Sequence, residues 1–182
     1  MILHRDSTPV TARRTLPDIL AKELRVVFCG INPGMRAAAS GHHFMGGGNR
    51  FWRVLHLAGF TPVQLLPEND RDLLQYQCGL TTVVERPTVR ASDVAKDEFR
   101  AASPSLADKI RRYEPLHLAF LGKAGVSAIY TNREVRWGRQ DFLFEGAVTW
   151  VLPNPSGLNR SFSLDELTVC YRLLRVAAFS SM

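Results

Sequence analysis

The chain has 182 residues, 46% of them apolar and 22% charged, with a net charge of +6 and a sequence pI near 9.6. That is ordinary globular usage at single-domain length, which excludes a fibrous or wholly disordered chain. A chain of this size buries roughly 70% of its unfolded surface, so its core needs no disulfide or metal. All basic residues except Lys22, Lys96, Lys109 and Lys123 are arginine. Such a balance fits a polyanionic partner, and it fits equally a coding bias toward arginine.

Three widely spaced cysteines, Cys29, Cys78 and Cys170, give neither a disulfide framework nor a metal-binding pair, and they read as thiols of a reducing compartment. No apolar run approaches the roughly 18 residues of a membrane-spanning helix. The N-terminus lacks the apolar stretch of a secretion signal, and residues 1–15 read as a basic, mobile tail before one domain over residues 16–182.

The elements follow in chain order. Arg25 to Gly30 is a short apolar run ending at glycine, which predicts a buried strand. Asn49 to Gly59 predicts a helix capped by Asn49 and stopped by Gly59. Glu68 to Tyr76 reads as a second helix, and Leu80 to Val84 as a β-branched strand. Ser103 to Tyr113 reads as a helix with Pro104 in its first turn. Leu116 to Leu121 is a strand closed by Gly122, with a helix from Lys123 to Tyr130. Asp141 to Phe144 and Val148 to Leu152 make a hairpin about Glu145-Gly146. Ser163 and Glu166 form a capping box for a last helix with Leu164, Leu167, Tyr171 and Leu174 on its apolar face. This alternation predicts an α/β fold, a three-layer α/β/α sandwich with a mostly parallel central sheet.

In such folds ligands sit at the carboxyl ends of strands. Two unusual loops occupy that position. The first runs from Ile31 to Gly48. Pro33 and Gly34 would hold Asn32 rigidly at the strand end. Its glycines match no phosphate-binding fingerprint. His42 and His43 lack a third ligand and read as solvent-facing loop residues. Phe44 is either a core plug or a face on which a base stacks. The second loop, Pro153 to Arg160, is stiffened by two prolines and presents Leu158 either as a wedge for a base stack or as a buried leucine in a polar connector.

Gly30-Ile31-Asn32-Pro33-Gly34, then Asn49-Arg50-Phe51-Trp52, then Asn154-Pro155-Ser156-Gly157-Leu158-Asn159-Arg160, resembles the mismatch-specific uracil-DNA glycosylases. These form the bacterial branch of the thymine-DNA glycosylase family within the uracil-DNA glycosylase superfamily. Arg86-Pro87-Thr88-Val89, Phe120-Leu121-Gly122-Lys123 and Trp137-Gly138 extend the likeness, which runs from about Leu16 to Ala178.

The resemblance implies a DNA repair enzyme that flips uracil out of double-stranded DNA and hydrolyses its N-glycosidic bond. It would prefer U·G mismatches and bulky damaged pyrimidines such as ethenocytosine. Carried over, Asn32 positions the attacking water, Ile31 meets the base through its backbone, Phe44 stacks on it, and Asn154 belongs to the base-binding set. Gly157 and Leu158 form the wedge, while Arg160 and the backbone at Asn159 hold the widowed guanine. Lys123 is a candidate DNA contact, and Arg86, Arg90 and Lys96 read, like it, either as phosphate contacts or as solvated side chains. The expectation includes no cofactor, no metal, no membrane, a monomer, and a cytoplasmic, nucleoid-associated bacterial setting. Fast relatives carry an aspartate and a histidine where this chain has Asn32 and Asn154, which implies a slow enzyme. Neither loop has a lysine, so no strand-cutting lyase step is expected. Asp93 reads either as a carboxylate that assists Asn32 or as a helix cap. A reader that clamps flipped bases without cleaving them is the alternative function.

Overall fold

The computed structural model describes residues 15–180. The basic tail, apart from Thr15, lies outside the described residues. Five strands form one sheet: β1 (Val26–Gly30), β2 (Cys78–Thr82), β3 (His117–Leu121), β4 (Gly138–Phe144) and β5 (Ala147–Leu152). Their spatial order is β2-β1-β3-β5-β4. All neighbours are parallel except β4, which runs antiparallel to β5 at the edge.

Burial explains this arrangement. β1 and β2 are buried along their whole length, as strands covered on both faces must be. Val26 and Phe28 face one layer, formed by α2 (Phe51–Leu57) and α5 (Leu164–Phe179). Val27 and Cys29 face the other, formed by α3 (Lys96–Tyr113) and α4 (Lys123–Ile129). The edge strand β4 alternates instead, with Gln140, Phe142 and Phe144 inward and Asp141 and Leu143 outward. Its hairpin turns through Glu145 and Gly146 with φ of 49° and 88°, the mirror-image geometry that a two-residue hairpin requires. The α/β/α sandwich inferred from the sequence is the fold observed.

Several elements differ from their sequence reading. The helix expected from Ser103 starts at Lys96, where Glu98 accepts the Ala95 N–H at 3.0 Å, and Pro104 lies inside it. The continuous apolar face of Phe99, Leu106, Ala107 and Ile110 outweighs one missing donor on the exposed side. β2 runs Cys78–Thr82 rather than Leu80–Val84, because Cys78 and Gly79 pair with Val26 and Val27 of β1; Gly79 there packs so closely beneath Ile19 and Leu24 that no side chain fits. Residues Pro67–Tyr76 wind as a 3-10 helix broken at Asn69, with the Asp70 carboxylate turned inward.

The four parallel strands end at one edge of the sheet, and four loops meet there: 31–50 after β1, 83–95 after β2, Gly122 after β3 and 153–163 after β5. Within the first of these, α1 (Met35–Ser40) is a short helix of six residues.

Candidate active site

A cleft of about 160 Å³ opens at this edge, bounded by Ile31, Asn32, Phe44, Thr88, Asn154 and Leu158. Its centre is Asn32. The side-chain Nδ2 donates to the Arg86 carbonyl at 2.8 Å and to Thr88 Oγ1 at 2.7 Å. The Thr88 hydroxyl proton goes to the Arg90 carbonyl at 2.7 Å, so Thr88 can only accept from Asn32. Both amide protons are thereby placed, and Oδ1 meets no donor among the described residues. The result is a fixed, uncharged acceptor in a polar cleft.

Distant parts of the chain build this arrangement. The Thr88 N–H donates to the Pro33 carbonyl at 3.1 Å, and Gly34 bridges to Thr88. Arg86 grips both Glu98 oxygens at 2.8 Å and so fixes the segment whose carbonyl Asn32 reads. That hydrogen bond, followed by the Ala95 N–H, holds the Glu98 carboxyl down at about 2. Ile31 lines the cleft, with its carbonyl engaged by the Val84 N–H at 3.0 Å.

Phe44 is packed on the core and also faces the cleft. Its ring stacks on buried Phe51 at 3.8 Å and also lines the cleft. Its φ of 55° is unfavourable for a bulky residue. The preceding residue anchors it: the His43 N–H donates to Asp70 Oδ2 at 2.9 Å, and the His43 carbonyl accepts the Trp52 indole N–H at 3.3 Å. This corrects the sequence reading, because His43 is a buried strut and not a solvent-facing residue. Its ring Nε2 donates to the Pro17 carbonyl at 2.8 Å, and burial pushes its pKa down. His42 Nδ1 lies 3.5 Å from Asp70 Oδ1. Asn49 Oδ1 accepts the Phe51 N–H at 2.9 Å at the start of α2, and Gly59 closes that helix with φ of 86°. Among the described residues, no group of three His, Cys, Asp or Glu is placed to hold a metal ion. No described helix is long and apolar enough to cross a membrane.

The second loop is held from both ends. Buried Tyr171 donates its hydroxyl to the Pro153 carbonyl at 3.2 Å. Asn154 Oδ1 accepts the Ser156 N–H at 2.8 Å, while its Nδ2 has no acceptor among the described residues. Arg50 is the principal fastening. Its guanidinium donates to the carbonyls of Phe162 at 2.7 Å, Asn159 at 2.8 Å and Ser156 at 3.1 Å, and its backbone N–H donates to Pro155 at 3.0 Å. Gly157 packs directly on the Gly48 backbone, and a Cβ at 157 would collide with the Gly48 carbonyl. The two loops are thus fastened to one another by Arg50 and by the Gly48–Gly157 contact. At its tip Leu158 is 77% exposed and borders the cleft, which excludes the buried-leucine reading. Arg160 is exposed, with no partner among the described residues, and Asn159 donates its side-chain amide to the Asn154 carbonyl at 2.9 Å.

Of the residues named from the sequence, Gly157, Asn159, Arg160, Arg86, Lys96, Asp93 and Lys123 do not line the cleft. Asp93 is exposed, and its Oδ2 accepts the Arg90 N–H at 3.0 Å to close a short 3-10 turn. Lys123 lies at the start of α4 with its ammonium over the Trp137 ring. Thr88 and Arg50, by contrast, received no role from the sequence, although both lie in the motif segments. A threonine after proline and an arginine before an aromatic pair carry no local mark of what they will bind.

The model of the uracil DNA glycosylase superfamily matches residues 17–175, and the chain belongs to that superfamily. Among solved structures, the fold is similar to the solution NMR structure of a Methanosarcina acetivorans protein provisionally named as a uracil DNA glycosylase. The TM-score is 0.60 at 23% identity, over 90% of this chain and 98% of that chain.

Proposed function

We propose that the chain is a monofunctional DNA glycosylase of the mismatch-specific branch, acting as a monomer on uracil in double-stranded DNA, with U·G favoured. The observation that carries this reading is the fixed Asn32 amide, its free oxygen in a cleft bordered by an exposed apolar tip, Leu158. A base must leave the helix to reach such a cleft, at a cost of a few kcal/mol that is least for a mispair. Leu158 fills the space it vacates, and Arg160 and the Asn159 backbone hold the orphaned guanine. The flipped uracil lies on Phe44, with the Ile31 backbone and the Asn154 amide at its edge.

Asn32 Oδ1 then accepts a hydrogen bond from a water and aims its lone pair at the sugar carbon. The water oxygen bonds to C1′ as the C1′–N1 bond breaks, its electron pair leaves with uracil, and the water's surplus proton passes to solvent. An amide is a weak base, so the rate rests on leaving-group stabilisation and positioning, and turnover is slow. A lyase step needs an amine at the sugar. The nearby ammonium, that of Lys123, is held on an indole.

The deciding experiment is uracil release from labelled U·G, U·A, T·G and single-stranded oligonucleotides. Release that is fastest from U·G, leaving an uncut abasic strand, is expected. Tight binding without release would instead establish a non-catalytic reader of flipped bases.

A further inference from the structure

We infer that Trp137, with Lys123 and Phe162, forms a second DNA-contacting platform beside the cleft, on which the indole packs against a nucleotide flanking the target. This rests on the glycosylase reading above. Trp137 is 42% exposed. The other two tryptophans are buried, with their indole N–H groups on the His43 carbonyl and on His117 Nδ1. The Trp137 indole, flanked by an aromatic ring and a cation, offers a flat apolar face to solvent.

Its surroundings hold it in place. Phe162 meets the indole edge-on, with centroids 5.4 Å apart at 82°. Lys123 Nζ lies 4.8 Å from the ring centroid. The chain on either side ties the platform to the candidate site. Lys123 follows Gly122, where a Cβ would touch Ile31 and Asn154 of the cleft. Phe162 follows the Leu158 loop, and its carbonyl is one of those held by Arg50. Lys123 is thereby one residue from a glycine packed on the cleft wall, and Phe162 lies two residues beyond the wedge loop.

A cation on an exposed indole, with an exposed leucine and an Arg160 that has no partner among the described residues on the neighbouring loop, suits a polyanion that carries flat apolar faces. Phosphate takes the ammonium, and the nucleotide takes the ring. The net charge of +6 favours DNA over an acidic-poor apolar peptide as the occupant.

The burial of the other tryptophans makes the test direct. The full chain is titrated with a duplex carrying 2′-fluoro-2′-deoxyuridine opposite guanine, which binds without being cleaved, and acrylamide quenching of tryptophan emission is followed. At saturation, quenching is expected to fall at least twofold, and Trp137→Phe removes that change. Trp137→Ala weakens duplex binding about fivefold or more. Lys123→Gln keeps the tryptophan signal and lowers the slope of log affinity against log salt by about one. The inference is overturned if saturated protein shows unchanged quenching, or if Trp137→Ala, with wild-type melting temperature, binds duplex like wild type; the indole would then face a protein partner or solvent. Should Trp137→Ala fail to fold, the wild-type quenching decides alone. Uracil release from U·G, run in parallel, separates the two readings. Release with an unprotected indole removes only the platform, and absence of release removes the glycosylase reading.

Discussion

Thr88 Oγ1 stands 2.7 Å from Asn32 Nδ2 and, because its own proton is given to the Arg90 carbonyl, it sets which way the Asn32 amide faces. A threonine on the loop after β2 thus decides that an oxygen and not an NH₂ group is offered to the cleft. Thr88→Val keeps the shape and removes both hydrogen bonds. Single-turnover uracil release is expected to fall about 10- to 100-fold, with binding of an uncleavable duplex little changed, while Thr88→Ser restores most of the rate. Equal losses in binding and rate would show that the loop had merely collapsed.

Gly157 and Gly48 touch backbone to backbone, and this contact sets the height of Leu158. Gly157→Ala places a methyl group on the Gly48 carbonyl and must push the loop outward. Activity on duplex DNA is expected to drop at least tenfold, with a far smaller change in melting temperature, since the residue is exposed. Wild-type activity for this variant would mean that the loop tolerates displacement and that its fixed position is not needed.

Leu158→Ala is expected to slow release from U·A more than from U·G. The wedge offsets the unpairing cost, and that cost is greater for a matched pair. Identical losses on the two duplexes would argue against a wedge.

Asp93 tests the division of labour. Its carboxylate accepts the Arg90 N–H, a contact that an asparagine oxygen can also make. Asp93→Asn is therefore expected to release uracil from U·G within about twofold of the wild-type rate, whereas Asn32→Ala loses on the order of 10²-fold or more. A large loss in Asp93→Asn with an unchanged melting temperature would instead give the carboxylate a part in the chemistry.

His43 gives the fold a pH response with a defined sign. Burial, opposed by its hydrogen bond to Pro17 and by the nearby Asp70, lowers its pKa from 6.5. In the window below 6.5 the unfolded chain binds more protons at this site than the folded chain does. Stability from this group is thus full above pH 6.5 and declines as the pH falls toward the folded-state pKa. Thermal melts between pH 7.5 and 5.5 should show a fall in melting temperature that is shallower in His43→Gln. A loss of equal steepness in that variant would place the response elsewhere.

Much of the architecture was local enough to be legible in the sequence. The Ser163–Glu166 capping box, with the Ser163 N–H on Glu166 Oε2 at 2.7 Å, and the Glu145-Gly146 turn each involve neighbours a few positions apart. Their hydrogen bonds follow from residue type alone. The strand–helix alternation and the placement of the two loops at the sheet edge were equally readable. What surrounds Asn32 was not. Thr88 and Arg86 reach it from more than fifty positions away, and Arg50 reaches the second loop from more than a hundred. The passage of α3 through Pro104, the closeness of Gly48 and Gly157 and the burial of His43 likewise came only with the fold. Sequence spacing records the short-range torsional and hydrogen-bonding preferences of the backbone. The orientation of a side-chain amide in a cleft depends on donors and acceptors that become neighbours only after the sheet has brought its strand ends together.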